Sequence, residues 1–128
     1  MSSFKEVETR DPKKAVDILF GDAMGVVPEL SDTQFRSACD RMHQSGGDTP
    51  LVEGTENEVK SVLLEHAKVL AQIADFKRFS INVCLADKGY KGEEAAQLWA
   101  WVGEEGRRLH LWKTKDKFHA YGHADFLS

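Results

Sequence analysis

The sequence has little of what usually marks a secreted or membrane protein. It contains only two cysteines, Cys39 and Cys84, and they form no CxxC pair. This argues against a disulfide framework and predicts buried, reduced thiols in an intracellular protein. No apolar run approaches the ~20 residues that a membrane-spanning helix needs. The polar first residues do not resemble a secretory signal. We therefore expect a soluble, cytoplasmic protein with no membrane partner.

Motifs of the common enzyme classes are also missing. The chain has no G-x-G-x-x-G, P-loop, H-E-x-x-H, G-x-S-x-G or EF-hand pattern. It has no basic block either, and the formal net charge is −4 with acids and bases interspersed. That balance disfavours binding to nucleic acid or to an anionic surface. We expect no cofactor and no bound metal. No motif in the sequence is specific enough to identify a reaction.

The chain length fits a single domain over residues 1–128, because domains typically contain ~100–150 residues. Helical patterns come first and strand patterns last, which predicts an α+β fold. We expect three N-terminal helices and then a four-stranded antiparallel meander, with one sheet face packed on the long third helix. The predicted helices cover about residues 12–20, 32–45 and 56–77, and the predicted strands about 79–86, 96–103, 107–113 and 117–123.

Capping residues predict where the helices begin and end. Asp11 precedes a proline, which is typical of a helix start, and Gly21 is expected to end that first helix. Ser31 and Thr55 each precede a glutamine or glutamate by three residues, the spacing of a capping box. Between the second and third helices, the polar run 45–50 predicts a mobile loop.

The third helix carries the strongest periodic signal in the chain. Apolar residues recur there at three- and four-residue spacing over about five turns. This pattern places Leu63, Leu70 and Ile73 in the core. The strand that follows, residues 79–86, alternates large apolar side chains with small or polar ones, so one of its faces is also expected to be buried.

Residues 97–123 hold all three tryptophans and three of the five histidines. Their pattern predicts three strands joined by two turns. The second turn most simply pairs Trp112 with Lys117, and therefore His110 with His119. Alternation then separates an apolar face from a polar face. The polar face carries Arg108, His110, Trp112, His119 and Tyr121.

The first turn of this meander leaves two registers open. A four-residue loop over 103–106 places Trp99 and Trp101 on the polar face beside His110. A three-residue loop over 104–106 shifts the pairing by one and places both indoles in the core. Hydrophobic patterning favours the first register, whereas turn chemistry favours the second.

The leading functional hypothesis is that the polar face binds a protein partner. Tryptophan, tyrosine, arginine and histidine on a rigid sheet are the residue types enriched at interface hot spots. This favours a small interaction module such as an inhibitor, an immunity-type factor or an adaptor, and it is compatible with a homodimer. The candidate binding residues are Arg108, His110, Trp112, His119, Tyr121, Trp99 and Trp101.

Other interpretations of the same face stay open. If His110 and His119 lie opposite each other, ~5 Å apart at Cβ, they could act as general base and acid beside Arg108 in a metal-independent ribonuclease or phosphodiesterase. A metal site lacks a third ligand. A small-ligand binder would need a pocket that the sequence does not reveal. Finally, the face could pack against a helix or a second subunit and carry no chemistry.

Overall fold

The computed structural model of the protein describes residues 4–44, 49–85 and 93–127. Within these residues the chain forms three helical segments and a six-stranded antiparallel sheet, which confirms the α+β class. The helical segments are α1 (Pro12–Ile18), which continues as a π-helical turn (Leu19–Ala23) and a last α-helical turn (Met24–Val26), α2 (Asp32–Gln44) and α3 (Glu56–Ala71). The strands are β1 (Val7–Thr9), β2 (Thr49–Gly54), β3 (Phe76–Leu85), β4 (Glu94–Val102), β5 (Glu105–Lys113) and β6 (Phe118–Gly122), followed by a 3-10 turn (Ala124–Phe126).

The prediction of four strands is wrong, because the sheet has two further edge strands. The strand order is β1-β3-β4-β5-β6-β2, so the predicted meander forms the centre. Strand β2 begins at Thr49 and includes Pro50, both of which were assigned to a loop; residues 45–48 of that loop lie outside the described residues. Each edge strand pairs with one neighbour that is distant in sequence. Such pairing is tertiary, and a local pattern does not reveal it.

The predicted helix starts are confirmed by their capping bonds. The Asp11 carboxylate accepts a hydrogen bond from the backbone N–H of Lys13 at 3.0 Å. Thr55 forms the expected capping box with the residue three positions later. Ser31 does the same with Gln34: each backbone N–H donates to the other residue's side chain. Local capping chemistry therefore decides where these helices begin.

The predicted helix ends are less accurate. Gly21 does not end the first helix, because continuing as far as Val26 buries Ala23 and Met24 against the sheet. The third helix ends at Ala71 rather than near residue 77. From Phe76 onward the backbone pairs with β4. These residues therefore form a strand, although the periodic pattern assigned them to the helix.

Helices α1 and α3 pack on one face of the sheet and form the main hydrophobic core with it. Leu63 and Leu70 are buried there as predicted, whereas Ile73 is only partly buried at the edge of the core. The fully buried residues from the two layers include Val16, Leu19, Val59, Leu63, Ala67, Phe79, Ile81, Leu98, Leu109 and Leu111. The predicted packing of a sheet face on the long helix is confirmed.

The turn between β4 and β5 contains two residues, Gly103 and Glu104, so neither predicted loop length is right. Gly103 has a φ of 60°, and Glu104 is not among the residues with positive φ, as in a type II′ turn. The observed pairing of β4 with β5 differs by an even number of positions from the pairing that the four-residue loop predicts. Trp99 and Trp101 consequently lie on the polar face, away from the main core.

The predicted pairing of β5 with β6 is also wrong. Trp112, not His110, lies opposite His119, and Tyr121 lies opposite His110. The shift is again even, so no side chain changes face. The turn begins one residue later than predicted, where the backbone N–H of Leu30 donates to the last carbonyl of β5 at 2.9 Å.

Helix α2 packs on the polar face of the sheet, which the sequence left unassigned. Phe35, Ala38 and Met42 form a second apolar cluster with Ala95 and Trp112. An ion pair between Arg41 and Glu93 also joins α2 to the residue before β4. The sheet is therefore covered on both faces. No helix in the described parts of the chain is long and apolar enough to cross a membrane.

Candidate functional site

Helix α2 divides the polar face of the sheet into two regions. We define the covered half as the region beneath and beside α2, and the indole patch as the region at the opposite end of the strands. The covered half carries His110, Trp112, His119 and Tyr121. The indole patch carries Arg78, Trp99, Trp101 and Arg108. The seven candidate residues from the sequence are therefore split between two environments.

Three of the candidates in the covered half are almost inaccessible. The exposed fraction is 0% for Trp112, 2% for His110 and 5% for His119. The Phe35 ring of α2 covers two of them, with its centroid 6.0 Å from that of Trp112 and 4.0 Å from that of His119. For this half, the interpretation in which the face packs against a helix holds. Among the candidates, Tyr121 and the residues of the indole patch keep a partly exposed surface.

The indole patch is built around two parallel rings. Trp99 and Trp101 are stacked, with ring centroids 5.5 Å apart and planes 11° apart. The guanidinium carbon of Arg78 lies 5.2 Å from the centroid of Trp101, within cation–π range. Both indoles are half-buried, so part of each ring faces solvent.

Gly106 leaves the space that the edges of both indoles occupy. A Cβ atom at Gly106 would lie 2.8 Å from Cζ3 of Trp101 and 3.0 Å from Cε3 of Trp99. These separations are too short for a real side chain, so the rings occupy the space that glycine leaves. The bare backbone of β5 therefore serves as the floor of the indole patch.

A buried glutamine connects the patch to the covered half. The Trp99 indole N–H donates to Oε1 of Gln97 at 3.2 Å. The side-chain nitrogen of Gln97 lies 2.7 Å from Nε2 of His110, whose ring stacks on Trp112. Because Gln97 is buried, these bonds fix the orientation of the Trp99 ring from beneath.

Arg78 belongs to this surface, but the sequence interpretation missed it. Strand β3 was expected to begin at residue 79, but it begins three positions earlier, at Phe76. Arg78 pairs directly with Trp101, and its Nε lies 3.4 Å from a carboxylate oxygen of Glu8 in β1. The alternation of β3 places Arg78 on the same face as Ser80, although a bulge interrupts the alternation between Phe76 and Arg78.

A separate polar cluster lies at the edge of the covered half. His119 places Nδ1 3.1 Å from a carboxylate oxygen of Glu53 in β2, and Nε2 3.0 Å from the hydroxyl of Thr114. Burial lowers the pKa of His119 from its usual value, although the nearby Glu53 carboxylate acts in the opposite direction. The imidazole is therefore neutral near pH 7 and has one donor and one acceptor nitrogen.

This cluster opens onto a cleft of about 430 Å³ between α2 and the turn that joins β5 to β6. His119 and Thr114 lie in its wall. Charged side chains surround them: Asp32 and Arg36 from α2, and Lys115, Asp116 and Lys117 from the turn. The sequence interpretation gave Thr114 no role, because neither Glu53 nor β2 was expected near it.

The two cysteines are free but only partly buried, so the expectation of buried thiols is wrong. Cys39 lies beside Tyr121, and burial raises the pKa of its thiol. A thiol with a raised pKa is a poor nucleophile at neutral pH. Across the described residues, no group of three or more potential ligands is placed to hold a metal ion.

Comparisons with protein-family models, with curated proteins and with solved structures return no match. The geometry of the chain's own residues therefore carries the functional argument.

Proposed function

We propose that this chain is a small protein-interaction module that binds a protein partner through the indole patch. An inhibitor, an immunity-type factor and an adaptor all fit this description. The observation that carries the proposal is the stacked, half-exposed pair of Trp99 and Trp101 on a rigid sheet. Tryptophan and arginine are the residues most often found at interface hot spots.

Preorganisation supports this role. The Trp99 indole is held by Gln97, and the edges of both rings fit against the bare backbone at Gly106. Neither ring needs to be immobilised on binding, so association costs less conformational entropy than it would with free side chains. An aromatic surface that is fixed in advance suits a partner with a flat or shallow complementary face.

The charges around the indoles indicate the chemistry of the partner. Arg78 and Arg108 lie on either side of the tryptophans, on β3 and β5. Guanidinium groups bind carboxylates with two parallel hydrogen bonds. We propose a partner surface with an apolar centre and carboxylates at its rim. The ribonuclease alternative gains no comparable support, because its two histidines are buried and do not pair.

The decisive experiment compares capture of protein partners by the wild type and by patch variants. Wild-type protein, Trp101→Ala and Arg108→Ala are immobilised, exposed to a lysate of the source cells, and analysed by mass spectrometry. The captured partner is then purified for titration. We expect each substitution to weaken binding by about fivefold or more, which corresponds to about 1 kcal/mol.

Controls on the opposite side of the molecule separate recognition from non-specific adhesion. Val69→Ala and Lys68→Ala change an exposed apolar residue and an exposed cation on α3. Both should bind the partner as the wild type does. A partner that binds Trp101→Ala and Arg108→Ala with unchanged affinity would overturn the proposal. A partner whose binding is lost equally in Val69→Ala and Lys68→Ala would also overturn the proposal.

A further inference from the structure

We propose that Thr114, His119 and Glu53 form a nucleophile–base–acid triad that hydrolyses small carboxylic esters bound in the adjacent cleft. This activity is separate from partner binding, because the triad lies at the opposite end of the polar face from the indole patch. Three elements contribute to it: the turn after β5, strand β6 and edge strand β2.

The distances match those of an activated hydroxyl nucleophile. The Thr114 hydroxyl lies 3.0 Å from Nε2 of His119, and a carboxylate oxygen of Glu53 lies 3.1 Å from Nδ1 on the other side of the ring. In such an arrangement the carboxylate accepts a hydrogen bond from the Nδ1–H group, which leaves Nε2 without a proton and able to accept the hydroxyl proton. Within residues 4–44, 49–85 and 93–127, the hydrogen bonds of the covered half show no second combination of a hydroxyl, an imidazole and a carboxylate in this order.

The position of the imidazole is fixed, as general-base catalysis requires. The Phe35 ring lies 4.0 Å from it, and its neighbour across the strand pair is the buried Trp112. His119 is 5% exposed, and that exposure falls in a cleft of about 430 Å³. Thr114 is half-exposed in the same wall, so an ester can approach the hydroxyl while the imidazole stays shielded from bulk water.

The cleft carries charges suited to the reaction. Arg36, Lys115 and Lys117 line it together with Asp32 and Asp116. Lys117 also lies 3.5 Å from Glu53, which holds its ammonium group near the triad. Cations close to the reacting carbonyl stabilise the oxyanion that forms in the transition state. They also favour an ester whose acyl part bears a carboxylate.

The reaction proceeds in two balanced halves. In the first half, Thr114 Oγ1 bonds to the ester carbonyl carbon while the hydroxyl proton moves to His119 Nε2. The bond from that carbon to the leaving oxygen then breaks, and the departing alcohol takes the proton from Nε2. Water attacks the resulting threonyl ester and gives a proton to Nε2. The bond from the carbonyl carbon to Oγ1 breaks, Oγ1 regains the proton, and the acid leaves. The sum is ester plus water giving acid plus alcohol.

The protonation state of His119 agrees with this role. The charged groups around the ring are Glu53 from β2, Asp32 and Arg36 from α2, and the lysines and Asp116 of the turn. Burial lowers the pKa of His119 despite Glu53, so the ring is neutral and able to accept a proton at pH 7. Ester hydrolysis should therefore decline only when the pH falls below the ordinary histidine value of ~6.5.

The test uses p-nitrophenyl acetate with the full chain. Wild-type protein should release p-nitrophenolate above the buffer rate, and rapid quenching should show one acetyl group on Thr114 by peptide mass spectrometry. Thr114→Val keeps the side-chain shape and removes the hydroxyl; it should lower the protein-dependent rate roughly 100-fold. Thr114→Ser should retain the activity, because it restores a hydroxyl at the same place.

Thr33→Ala is the matched control, since Thr33 is an exposed threonine on α2 outside the triad; it should hydrolyse the ester as the wild type does. Thermal melting checks that each variant is folded. The proposal is overturned if the wild type does not exceed the buffer rate. It is also overturned if Thr114→Val is as active as the wild type, or if the acetyl group is found on a lysine rather than on Thr114.

Discussion

The Phe35 ring in α2 lies against the imidazole of His119 in β6, with centroids 4.0 Å apart and planes inclined at 31°. This contact marks where α2 lies on the polar face. The same ring meets Trp112 and Tyr121 edge-on. One aromatic side chain of α2 thus contacts three residues of the covered half. The indole patch lies outside its reach and keeps its rings partly exposed.

We predict that Phe35→Ala loosens α2 from the sheet. The side chain is only partly buried, so the expected loss in the free energy of unfolding is about 2–4 kcal/mol, towards the lower end of the range for phenylalanine truncations. Urea unfolding provides the measurement. Trp112 should also become more accessible to a soluble quencher of tryptophan fluorescence, because Phe35 shields it.

Arg36→Ala on the same helix is the control for this prediction. Its side chain is exposed, so the expected change is within about 0.5 kcal/mol. If Phe35→Ala were as stable as Arg36→Ala, and quenching were unchanged, α2 would not be held by this ring.

The sequence predicted the features that depend on local chemistry. Capping residues located the starts of all three helices, and alternation assigned the side chains of β5 and β6 to the correct faces. The pairing error at the second turn was even, as was that of the four-residue register at the first turn, so these registers keep the side chains on the correct faces. The three-residue register would have placed both indoles in the core. A type II′ turn beginning at Gly103 was not recognised, although a glycine in that position is its usual signature.

The sequence could not show which part of the polar face would be covered. That depends on where α2 returns over the sheet, and the contact of Phe35 with Trp112 and His119 joins residues far apart in the chain. The Thr114 cluster was missed for the same reason. Glu53 reaches His119 only because β2 pairs with β6 at the edge of the sheet.

The main core makes a separate prediction on α3. Leu70 is 2% exposed and belongs to the main core, so Leu70→Ala should cost about 2–5 kcal/mol in the free energy of unfolding. Val69 is its neighbour, yet it is 59% exposed, and Val69→Ala should change that free energy by less than about 0.5 kcal/mol. Equal losses from the two substitutions in urea unfolding would contradict this orientation of α3.

Gly106→Ala should disrupt the indole patch without touching either tryptophan. The added methyl group would lie 2.8 Å from Trp101, so one or both rings must move. We expect the exciton couplet of the stacked indoles to weaken in circular dichroism, and partner binding to fall as it does for Trp101→Ala. Gly25→Ala is the control, since its methyl group would meet nothing within 4 Å. An unchanged couplet in Gly106→Ala would show that the rings do not depend on this floor.

The last prediction concerns how stability depends on pH. Burial lowers the pKa of His119 in the folded protein, against the opposing influence of Glu53. In the unfolded chain the imidazole regains a pKa of ~6.5. Between the folded and unfolded values, the unfolded state therefore binds more protons. His119 should contribute its full stabilisation above about pH 6.5 and lose it as the pH falls towards the folded value.

His119→Gln isolates this contribution, because the other titrating groups are common to both proteins. We expect the wild type to be the more stable protein at about pH 7.5 and its advantage to narrow at about pH 5, where the unfolded chain is protonated at this position. Urea unfolding at both pH values gives the difference directly. A constant difference would mean that the pKa of His119 is the same in both states; a difference that grows on acidification would mean that Glu53 outweighs burial and raises the pKa.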